Sequence, residues 1–407
     1  MLDADPYQLR PDVDASKRPY TRNNFGATVG GPVRIPKLYN GTRRTNFQFS
    51  YSGNHSGNLF DQYATVPSEA VRAGDFSSAS FKVYDPTTGQ PFADNKIPAS
   101  RIDPGAQVLL NYIPLANLAG DTRNFHYTTT TISSSNNISL RVTHSFNAPP
   151  AGRGGAAGRG GAGGRGGGGF GGGGGRGGFG GPGGRGRGNQ GTTVNMNVQV
   201  QYRENDGTQA TVLPTIAGVT KGSSLSVPVG FNIAHKRDMH VINVNFSRTT
   251  SRTTNRYAYA TDVAGLAGIT GVSTDPFDWG VPSLSFSTYS AVRDINPSKR
   301  SDRRMTTSYT YTHPIKTHQM RLGVDYSQDW SDSQVDSTAR GAFVFTGIYA
   351  ADGGTVARGG GLDFADFLLG VPQQASIQYG PGNVQLRGKS FSAYWQDDWR
   401  KSAGLTF

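Results

Sequence analysis

The sequence predicts an all-β protein built from antiparallel strands. Apolar and polar residues alternate with a period of two in many stretches, which is the pattern of strands with one apolar face. Helical periodicity is almost absent, and the one modest helix candidate is Pro104 to Asn111. These two observations favour an all-β fold over a helical or mixed one.

The alternating stretches follow one another along most of the chain. Their apolar members, in order, are Phe47, Phe49 and Tyr51; Ile138, Leu140, Val142 and Phe146; Val194, Met196, Val198, Val200 and Tyr202; Leu225, Val227, Val229, Phe231 and Ile233; Ile242, Val244 and Phe246; Met320, Leu322, Val324 and Tyr326; Phe391, Ala393, Trp395 and Trp399. The positions between them carry Asn, Gln, Ser, Thr and Arg. Each stretch has about ten residues, nearer the roughly 9–11 of a membrane-spanning strand than the five or six typical of soluble sheets.

The connections between these strands differ greatly in length. A tight turn is predicted at His313 to Lys316, whereas the irregular connection at about 54–131 is about 80 residues long. Outer-membrane barrels combine short periplasmic turns with long extracellular loops. The pattern therefore favours a transmembrane β-barrel, although a soluble sandwich or propeller would also alternate.

Seven aromatic residues are candidates for the girdle that anchors a barrel at the membrane interface. In a sandwich they would instead belong to a protein core. They are Tyr257, Tyr259, Tyr309, Tyr311, Tyr394, Trp395 and Trp399.

The composition narrows the class of protein. The 407 residues include no Cys, which excludes a disulfide framework and any thiolate metal site. No run of about 18 apolar residues occurs, so a membrane protein with this sequence would have to cross the bilayer with strands. The first residues, Met1 to Pro6, lack the basic and apolar regions of a secretory signal peptide. We expect either a cytoplasmic protein or a chain whose natural start lies upstream.

Several short motifs resemble those of the Oar-like β-barrels among the TonB-dependent outer-membrane receptors. The segment Asn23 to Val33 resembles the family's early strand, and the aromatic strand Thr45 to Ser52 follows it. Asp366 to Gly370 and Ala393 to Arg400 resemble two later landmarks. Between these come the motifs that the family carries, in this order, in a large outer loop: Thr65 to Ser68, Arg72 to Ser77, Tyr84 to Gly89 and Ile97 to Pro104.

This resemblance implies a barrel surrounded by outer-membrane lipid that takes up a solute with energy supplied by TonB. The family's signal peptide, regulatory-like domain and TonB-contacting plug are not recognisable, and the chain stops at Leu405 to Phe407, in what resembles the start of another strand. Plugged receptors have about 22 strands, and we expect about 12–14 here. A partial barrel of this kind is not expected to close alone, because its open edges would leave unpaired backbone groups in lipid.

A Gly- and Arg-rich tract interrupts the strand pattern. Gly152 to Gly188 contains 25 Gly and 6 Arg, and removing it lowers the net charge from +12 to +6. We expect a disordered insertion at 148–191, because the tract cannot bury enough apolar surface to fold. Its Arg residues, with Phe170 and Phe179 between them, also fit RNA binding of the RGG type.

Strand order argues against that RNA-binding role. If the long loop is extracellular, the tract lies on the periplasmic side, so we do not expect nucleic acid as a partner. A polycation that contacts the inner leaflet, the peptidoglycan or another acidic partner is the other hypothesis.

A search for reactive residues yields no site that we assign. The His pairs would place their rings on opposite faces of a strand, and the acidic doublets fit a solvated loop better than a Ca²⁺ site. These candidates are His235/His240, His313/His318, Asp3/Asp5 and Asp12/Asp14. Gly382 to Ser390 resembles a phosphate-binding loop, but five residues instead of four separate its glycines and a strand follows. We predict no catalytic, cofactor-binding or metal-binding residue, no cofactor and no enzyme.

The predicted organisation has four regions: a loop-like stretch at 1–22, the first barrel strands at 23–147 with an outer loop at about 54–131, the insertion at 148–191, and continuing barrel strands at 192–407 that are incomplete at the C-terminus. The predicted function is that of an outer-membrane TonB-dependent receptor for a large or scarce solute. One alternative is a cell-surface binding or adhesion barrel without transport. The other is a soluble β-rich protein that binds RNA through its RGG-like tract.

Overall fold

The computed structural model describes residues 21–42, 44–147, 191–354, 361–378, 380, 382–402 and 405–407. Its main element is an antiparallel sheet of ten strands, in which neighbours follow one another in chain order. We number these strands β1 (Thr21–Pro32), β2 (Thr45–Ala64), β3 (Phe125–Ser145), β4 (Thr193–Ala210), β5 (Ala217–His235), β6 (Asp238–Asn255), β7 (Ser298–Ile315), β8 (His318–Val335), β9 (Asn383–Ser402) and β10 (Leu405–Thr406). The predicted all-β antiparallel fold is confirmed.

The strands are about twice as long as the alternating pattern predicts. β2 to β9 have between 18 and 21 residues each, whereas about 9–11 residues cross the hydrocarbon region. The predicted outer loop at about 54–131 is therefore too long: β2 continues to Ala64, β3 begins at Phe125, and the connection is 65–124. The alternation fades because Gly, Asn, Ser and Thr occupy both faces of the outer strand halves, while the backbone pairing continues.

The connections are short at one end of the strands, and we call this end the short-turn edge. Lys236 and Arg237 join β5 to β6, and Lys316 and Thr317 join β7 to β8. The lysine of each turn has a left-handed backbone, with φ of +55° and +53°. The tight turn predicted at His313 to Lys316 is thus present, with its centre shifted toward Thr317.

The same short-turn edge carries two further connections. A small hairpin of Arg34–Ile35 and Tyr39–Asn40 lies between β1 and β2. β3 ends and β4 begins at this edge, where Phe146 N donates to Val194 O. The predicted insertion at 148–191 and the predicted loop at 1–22 fall almost wholly outside the described residues.

At the opposite end of the strands, three long connections and one of six residues pack into one body, which we call the loop cap. It comprises the described residues of 65–124, 211–216, 256–297 and 336–382. Its hydrophobic core takes residues from all four connections, including Phe76, Ile216, Leu284 and Phe367. By contrast, none of the described hydrophobic residues in β4 to β9 is fully buried. The core of this protein therefore lies in its loops.

The loop cap contains short elements only. Its helices are α1 (Glu69–Arg72), α2 (Pro104–Leu110), α3 (Val263–Leu266) and α4 (Leu362–Leu368), with 3-10 turns at Ala93–Asn95, Ala99–Arg101, Pro276–Asp278 and Asp352–Gly354. Ser283–Phe286, Ala342–Phe345 and Gln374–Ser376 form a small mixed sheet. The helix predicted at Pro104 to Asn111 is confirmed as α2. No helix in the described part of the chain is long and apolar enough to cross a membrane.

Candidate functional site

The register of the main sheet gives it one apolar face and one polar face. Phe49 pairs with Leu140, and Leu140 pairs with Val200, so the apolar positions predicted from alternation lie side by side. These three side chains are 37–39% exposed, and no second layer formed by the described residues covers them. The sandwich alternative, in which this face would be a buried core, is therefore not observed. A continuous apolar surface of this extent is typical of membrane contact.

This outward apolar band runs obliquely across the sheet. On β1 its apolar residues are Phe25, Ala27 and Val29, and on β9 they include Phe391, Ala393 and Trp395, so Ala27 and Ala393 mark its middle on these two strands. Following the paired residues from strand to strand leads from Ala27 to Arg387, which is six residues away from Ala393. Strands tilted to the membrane normal produce such an offset, because paired residues on tilted strands lie at different depths.

The opposite face is polar, and we call it the luminal wall. Its side chains are mainly amides and hydroxyls, with a few charged groups. The central members are Gln48, Ser50, Ser52 and Asn54; Asn137, Ser139 and Arg141; Asn197, Gln199, Gln201 and Arg203; Ser224 and Ser226; Asn243, Asn245 and Ser247; Thr306 and Ser308; Asp325 and Ser327. The alternating pattern predicts that these polar positions face a water-filled lumen, and the register shows which of them are neighbours.

Hydrogen bonds connect the luminal wall across neighbouring strands. Arg141 Nε donates to Asn197 Oδ1 at 2.8 Å, and Gln199 Nε2 donates to Ser139 Oγ at 3.2 Å. A groove of about 600 Å³, lined by residues such as Asn137 and Arg203, lies on this face. The wall thus offers both donors and acceptors to a polar solute at many positions.

The seven predicted girdle aromatics divide between three places. Tyr309, Tyr311, Trp395 and Trp399 lie on the outward face toward the short-turn edge, as a girdle requires. Tyr394 lies on the luminal face, where its ring covers Gly323 on the paired strand. Tyr257 and Tyr259 were wrongly included, because both belong to the loop cap.

The four paired histidines each have their own partner near the short-turn edge. His240 contacts Tyr309 Oη at 2.8 Å, His318 contacts Asp397 at 2.7 Å, and His235 contacts Thr192 at 2.7 Å. His313 is bonded to Asp238. Within the described residues no three metal-ligating side chains come together.

The motifs of the first outer loop form the framework of the loop cap. The Arg72 guanidinium donates to the carbonyl oxygens of Leu110 and Ile113, at 2.8 Å each. Asp75 pairs with Lys96 at 2.8 Å, and this ion pair lowers the pKa of the Asp75 carboxyl. These residues are therefore explained by loop structure, and none of their polar groups points to a ligand.

A second set of motif residues joins separate connections of the loop cap. Asp103 accepts a hydrogen bond from Ala106 N at 2.9 Å and so caps α2, which begins with Pro104. The Asp103 backbone N–H donates to Leu368 O at the end of α4. Gly370 follows with φ of +70°, and an added Cβ there would lie 2.8 Å from Asp103 Cγ. The landmark at 366–370 thus serves as the docking point between two outer loops.

Buried carboxylates hold the remaining connections together. Asp366 accepts hydrogen bonds from Ala350 N at 2.8 Å and from Tyr349 N at 3.4 Å. Burial raises the pKa of Asp366 to about 6, against the lowering effect of these hydrogen bonds. Burial likewise raises the pKa of Asp363, which accepts a hydrogen bond from Thr288 N. Through these hydrogen bonds both carboxylates attach α4 to neighbouring loop segments.

A buried charge cluster lies where the loop cap meets the sheet. Asp294 accepts hydrogen bonds from Val281 N and Ile295 N, and Arg340 donates to Asn296 Oδ1 at 2.8 Å. Burial raises the pKa of the Asp294 carboxyl and lowers that of Arg340. Their opposite charges compensate each other in a site where a single charge would be costly.

The other predicted candidates have simple structural outcomes. Gly382 precedes β9, and the rest of the segment up to Ser390 lies within that strand, which contradicts a phosphate-binding loop. The acidic doublets at 3/5 and 12/14 lie outside the described residues.

Comparison with known proteins places the chain in a family. The model of the outer membrane β-barrel domain matches residues 1–149 and 186–407. No curated protein matches the sequence. Among solved structures, the siderophore receptor PiuA from Acinetobacter baumannii is 7% identical with a TM-score of 0.34, over 94% of this chain and 40% of the receptor. The ferric-catecholate import receptor Fiu from E. coli K12 is 12% identical with a TM-score of 0.33, over 94% of this chain and 45% of the receptor.

The chain spans less than half the length of either receptor, and likenesses of this size carry no weight here. The family match covers the strands of the main sheet on both sides of the Gly/Arg tract. It agrees with the outward apolar band, the luminal wall and the unequal connections of the two edges. The chain therefore belongs to the outer membrane β-barrel domain family, and its sheet is a stretch of barrel wall in the outer membrane.

Proposed function

We propose that this chain supplies barrel wall and outer loops to a TonB-dependent receptor that takes up a large or scarce solute. The observation that carries the proposal is the luminal wall, which is polar from β2 to β8 while the opposite face is apolar. A wall of amides and hydroxyls forms hydrogen bonds with a passing polar solute without holding it through strong charge. We assign no chemical reaction to it.

The loop cap supports the same proposal at the outer end of the path. Its four connections share one hydrophobic core, so they form a defined surface above the lumen. A solute would first contact this surface and then the luminal wall. TonB would act through a plug domain, which we place elsewhere in the whole protein on the basis of the motif resemblance.

The test is TonB-dependent uptake by the producing bacterium. A panel of labelled solutes too large for general porins is offered to the wild type, to a deletion of this gene and to a deletion of tonB. We expect at least one solute whose accumulation falls in both deletions. Attachment that is lost while the uptake of every solute is unchanged would instead establish the adhesion alternative.

Paired variants then connect uptake to the luminal wall. Asn137→Leu with Gln201→Leu removes two amides from this wall, and these two side chains share a hydrogen bond of 3.4 Å. The matched control, Ile138→Leu with Val200→Leu, changes the adjacent outward positions. We expect only the luminal pair to lower uptake at equal amounts of surface protein, and an equal effect of both pairs would contradict the proposal.

A further inference from the structure

The loop cap contains a cavity of about 370 Å³ where two of its long connections meet the main sheet. These connections join β6 to β7 and β8 to β9, and the sheet contributes Gln334 of β8 and Asn383 of β9. Gln334 and Asn383 share strand parity with Tyr326 and Phe391, which belong to the outward face. The cavity is therefore separate from the luminal wall.

Three carboxylates line this cavity, whereas no Lys, Arg or His of the described residues does. Two of them, Asp275 and Asp336, accept hydrogen bonds from the same Gln334 amide nitrogen, at 3.3 and 3.4 Å. Asp336 also accepts one from Gln378 Nε2 at 2.9 Å. The third carboxylate is Asp278. We call this cavity the acidic pocket.

Asp278 has one carboxylate oxygen that the protein does not satisfy. The residue is 3% exposed, and its Oδ2 accepts a hydrogen bond from Ser273 Oγ at 2.6 Å. Its Oδ1 has no hydrogen-bond partner within the part of the chain that the structure describes. A buried carboxylate oxygen without a donor is costly. In a residue that lines a cavity, such an oxygen points to a ligand that brings a donor.

The negative charge of the acidic pocket is only partly balanced by the protein. Burial raises the pKa of the Asp278 carboxyl, and the charges of Asp336 and Asp275 raise it further. The Ser273 hydrogen bond and the Arg340 charge lower this pKa, but the effect of Arg340 is smaller than that of either carboxylate. A cation in the pocket would relieve this repulsion.

The arrangement fits an organic cation better than a metal ion. Among the described residues no three metal-ligating side chains come close enough to hold one ion. The volume of about 370 Å³ also lies within the roughly 300–1,000 Å³ of small-molecule pockets. An ammonium group has three donors and no acceptor, so each such group can bond to a separate carboxylate. A flexible chain with several ammonium groups can therefore reach carboxylates that do not share one centre.

We propose that the acidic pocket binds a small organic cation with two or more primary ammonium groups, a linear polyamine. One ammonium group donates to Asp278 and another to Asp275 and Asp336. Asp275 and Asp278 belong to one connection and Asp336 to the other, so the bound cation joins the two connections and stabilises the loop cap. This site is independent of the proposed uptake function.

The test measures spermidine binding to the full protein, purified in neutral detergent, by isothermal titration calorimetry. Asp278→Asn/Asp336→Asn removes two charges and leaves the side chains nearly the same size. Because a hydrogen bond to a charged group contributes roughly tenfold or more to affinity, we expect a loss of about 100-fold. The wild type should bind a single spermidine per chain.

A matched control removes two exposed carboxylates of the loop cap instead. Asp94→Asn/Asp121→Asn makes the same change in charge, and both residues lie in the connection between β2 and β3. We expect its affinity for spermidine to stay within about twofold of wild type. Gel mobility before and after heating shows whether each variant is a folded barrel.

A ligand series on the wild type does not depend on any variant. Spermidine, putrescine and butylamine carry successively fewer ammonium groups, and 1,4-butanediol carries none. We expect the affinity to fall about tenfold for each ammonium group that is lost, and no binding of the diol.

A second readout reports the effect on the loop cap. Spermidine should raise the urea concentration at which protease cleaves the loop cap of the wild type, because a ligand stabilises the state that binds it. It should not do so in Asp278→Asn/Asp336→Asn.

Three results would overturn the proposal. The first is the absence of spermidine binding to the wild type, and the second is equal binding by the wild type and Asp278→Asn/Asp336→Asn. The third is displacement of spermidine by an equal concentration of Ca²⁺, which would make the pocket a metal site.

Discussion

Gly370 occupies a position in which almost any side chain would disturb the joint between α4 and the first outer loop. Its φ is +70°, and a Cβ would lie 2.8 Å from Asp103 Cγ. We expect Gly370→Ala to destabilise the loop cap by about 2–4 kcal/mol, from the left-handed backbone and from the overpacking together. The measurement is protease resistance of the loop cap against urea concentration.

The control for this prediction is a second glycine of the loop cap. Gly268 has nearly the same φ, +71°, but no atom lies within 4 Å of the position of its Cβ. Gly268→Ala should therefore cost only about 1 kcal/mol, from the backbone alone. Equal costs for both substitutions would show that Asp103 does not pack against Gly370 as described.

Asp366 gives the loop cap a pH dependence. Burial raises its pKa to about 6 from an ordinary value of 3.8. Because the folded protein holds this proton to a higher pH than the unfolded chain does, its contribution to stability is full below about pH 4. That contribution is lost as the pH rises through about 6, and it amounts to roughly 3 kcal/mol.

Hydrogen exchange of the Ala350 amide, which donates to Asp366, reports this effect. After correction for intrinsic rates, its protection in the wild type should fall between pH 4 and pH 7. Asp366→Asn cannot ionise, so its protection should change less over the same range. If protection of the Ala350 amide fell equally with pH in the wild type and in Asp366→Asn, ionisation of Asp366 would not be the cause of the pH dependence.

On each strand we expect a charged substitution to destabilise the protein on the outward face and to be tolerated on the luminal face. Val244 lies in the middle of the outward band, opposite Val229 and Thr307. Val244→Arg should cost about 2–4 kcal/mol, because it places a cation in the hydrocarbon region. Urea unfolding of the full protein in lipid vesicles measures this cost.

The neighbouring residue supplies the control. Asn245 lies on the luminal wall, within hydrogen-bonding distance of Ser226 at 3.4 Å. Asn245→Arg should change the stability by less than about 1 kcal/mol, because its side chain faces water. If Asn245→Arg proved the more damaging of the two, the assignment of the faces would be reversed.

The alternation of apolar and polar residues correctly predicts the half of each strand that contacts lipid. Val198, Val229 and Val244 alternate with polar residues because one face contacts hydrocarbon and the other water. The outer halves have water on both sides, so stretches such as Ser52 to Asn58 show no period although they pair fully. Strand length was therefore underestimated for a physical reason.

At the scale of the whole molecule, the packing of the loop cap could not be predicted from the sequence. The family motifs predict a large outer loop, but they do not predict that it folds or what it packs against. Asp103 meets Leu368, and Asn255 meets Ile295, only after long connections have closed. No local periodicity records such contacts.

We predict that the loop cap lies outside the cell and that the short turns lie in the periplasm. The chain contains no Cys, so each cysteine introduced into it is unique within it. Leu266 is 64% exposed in the loop cap, and Lys316 lies in a short turn at the other edge. Val244→Cys provides a position in lipid.

Labelling of these three variants with a membrane-impermeant maleimide measures this orientation. We predict that Leu266→Cys reacts in intact cells, that Lys316→Cys reacts only after the outer membrane is permeabilised, and that Val244→Cys reacts only after unfolding. The reverse order for the first two variants would contradict this orientation, and recovery of the protein in the soluble fraction would contradict a barrel wall in the outer membrane.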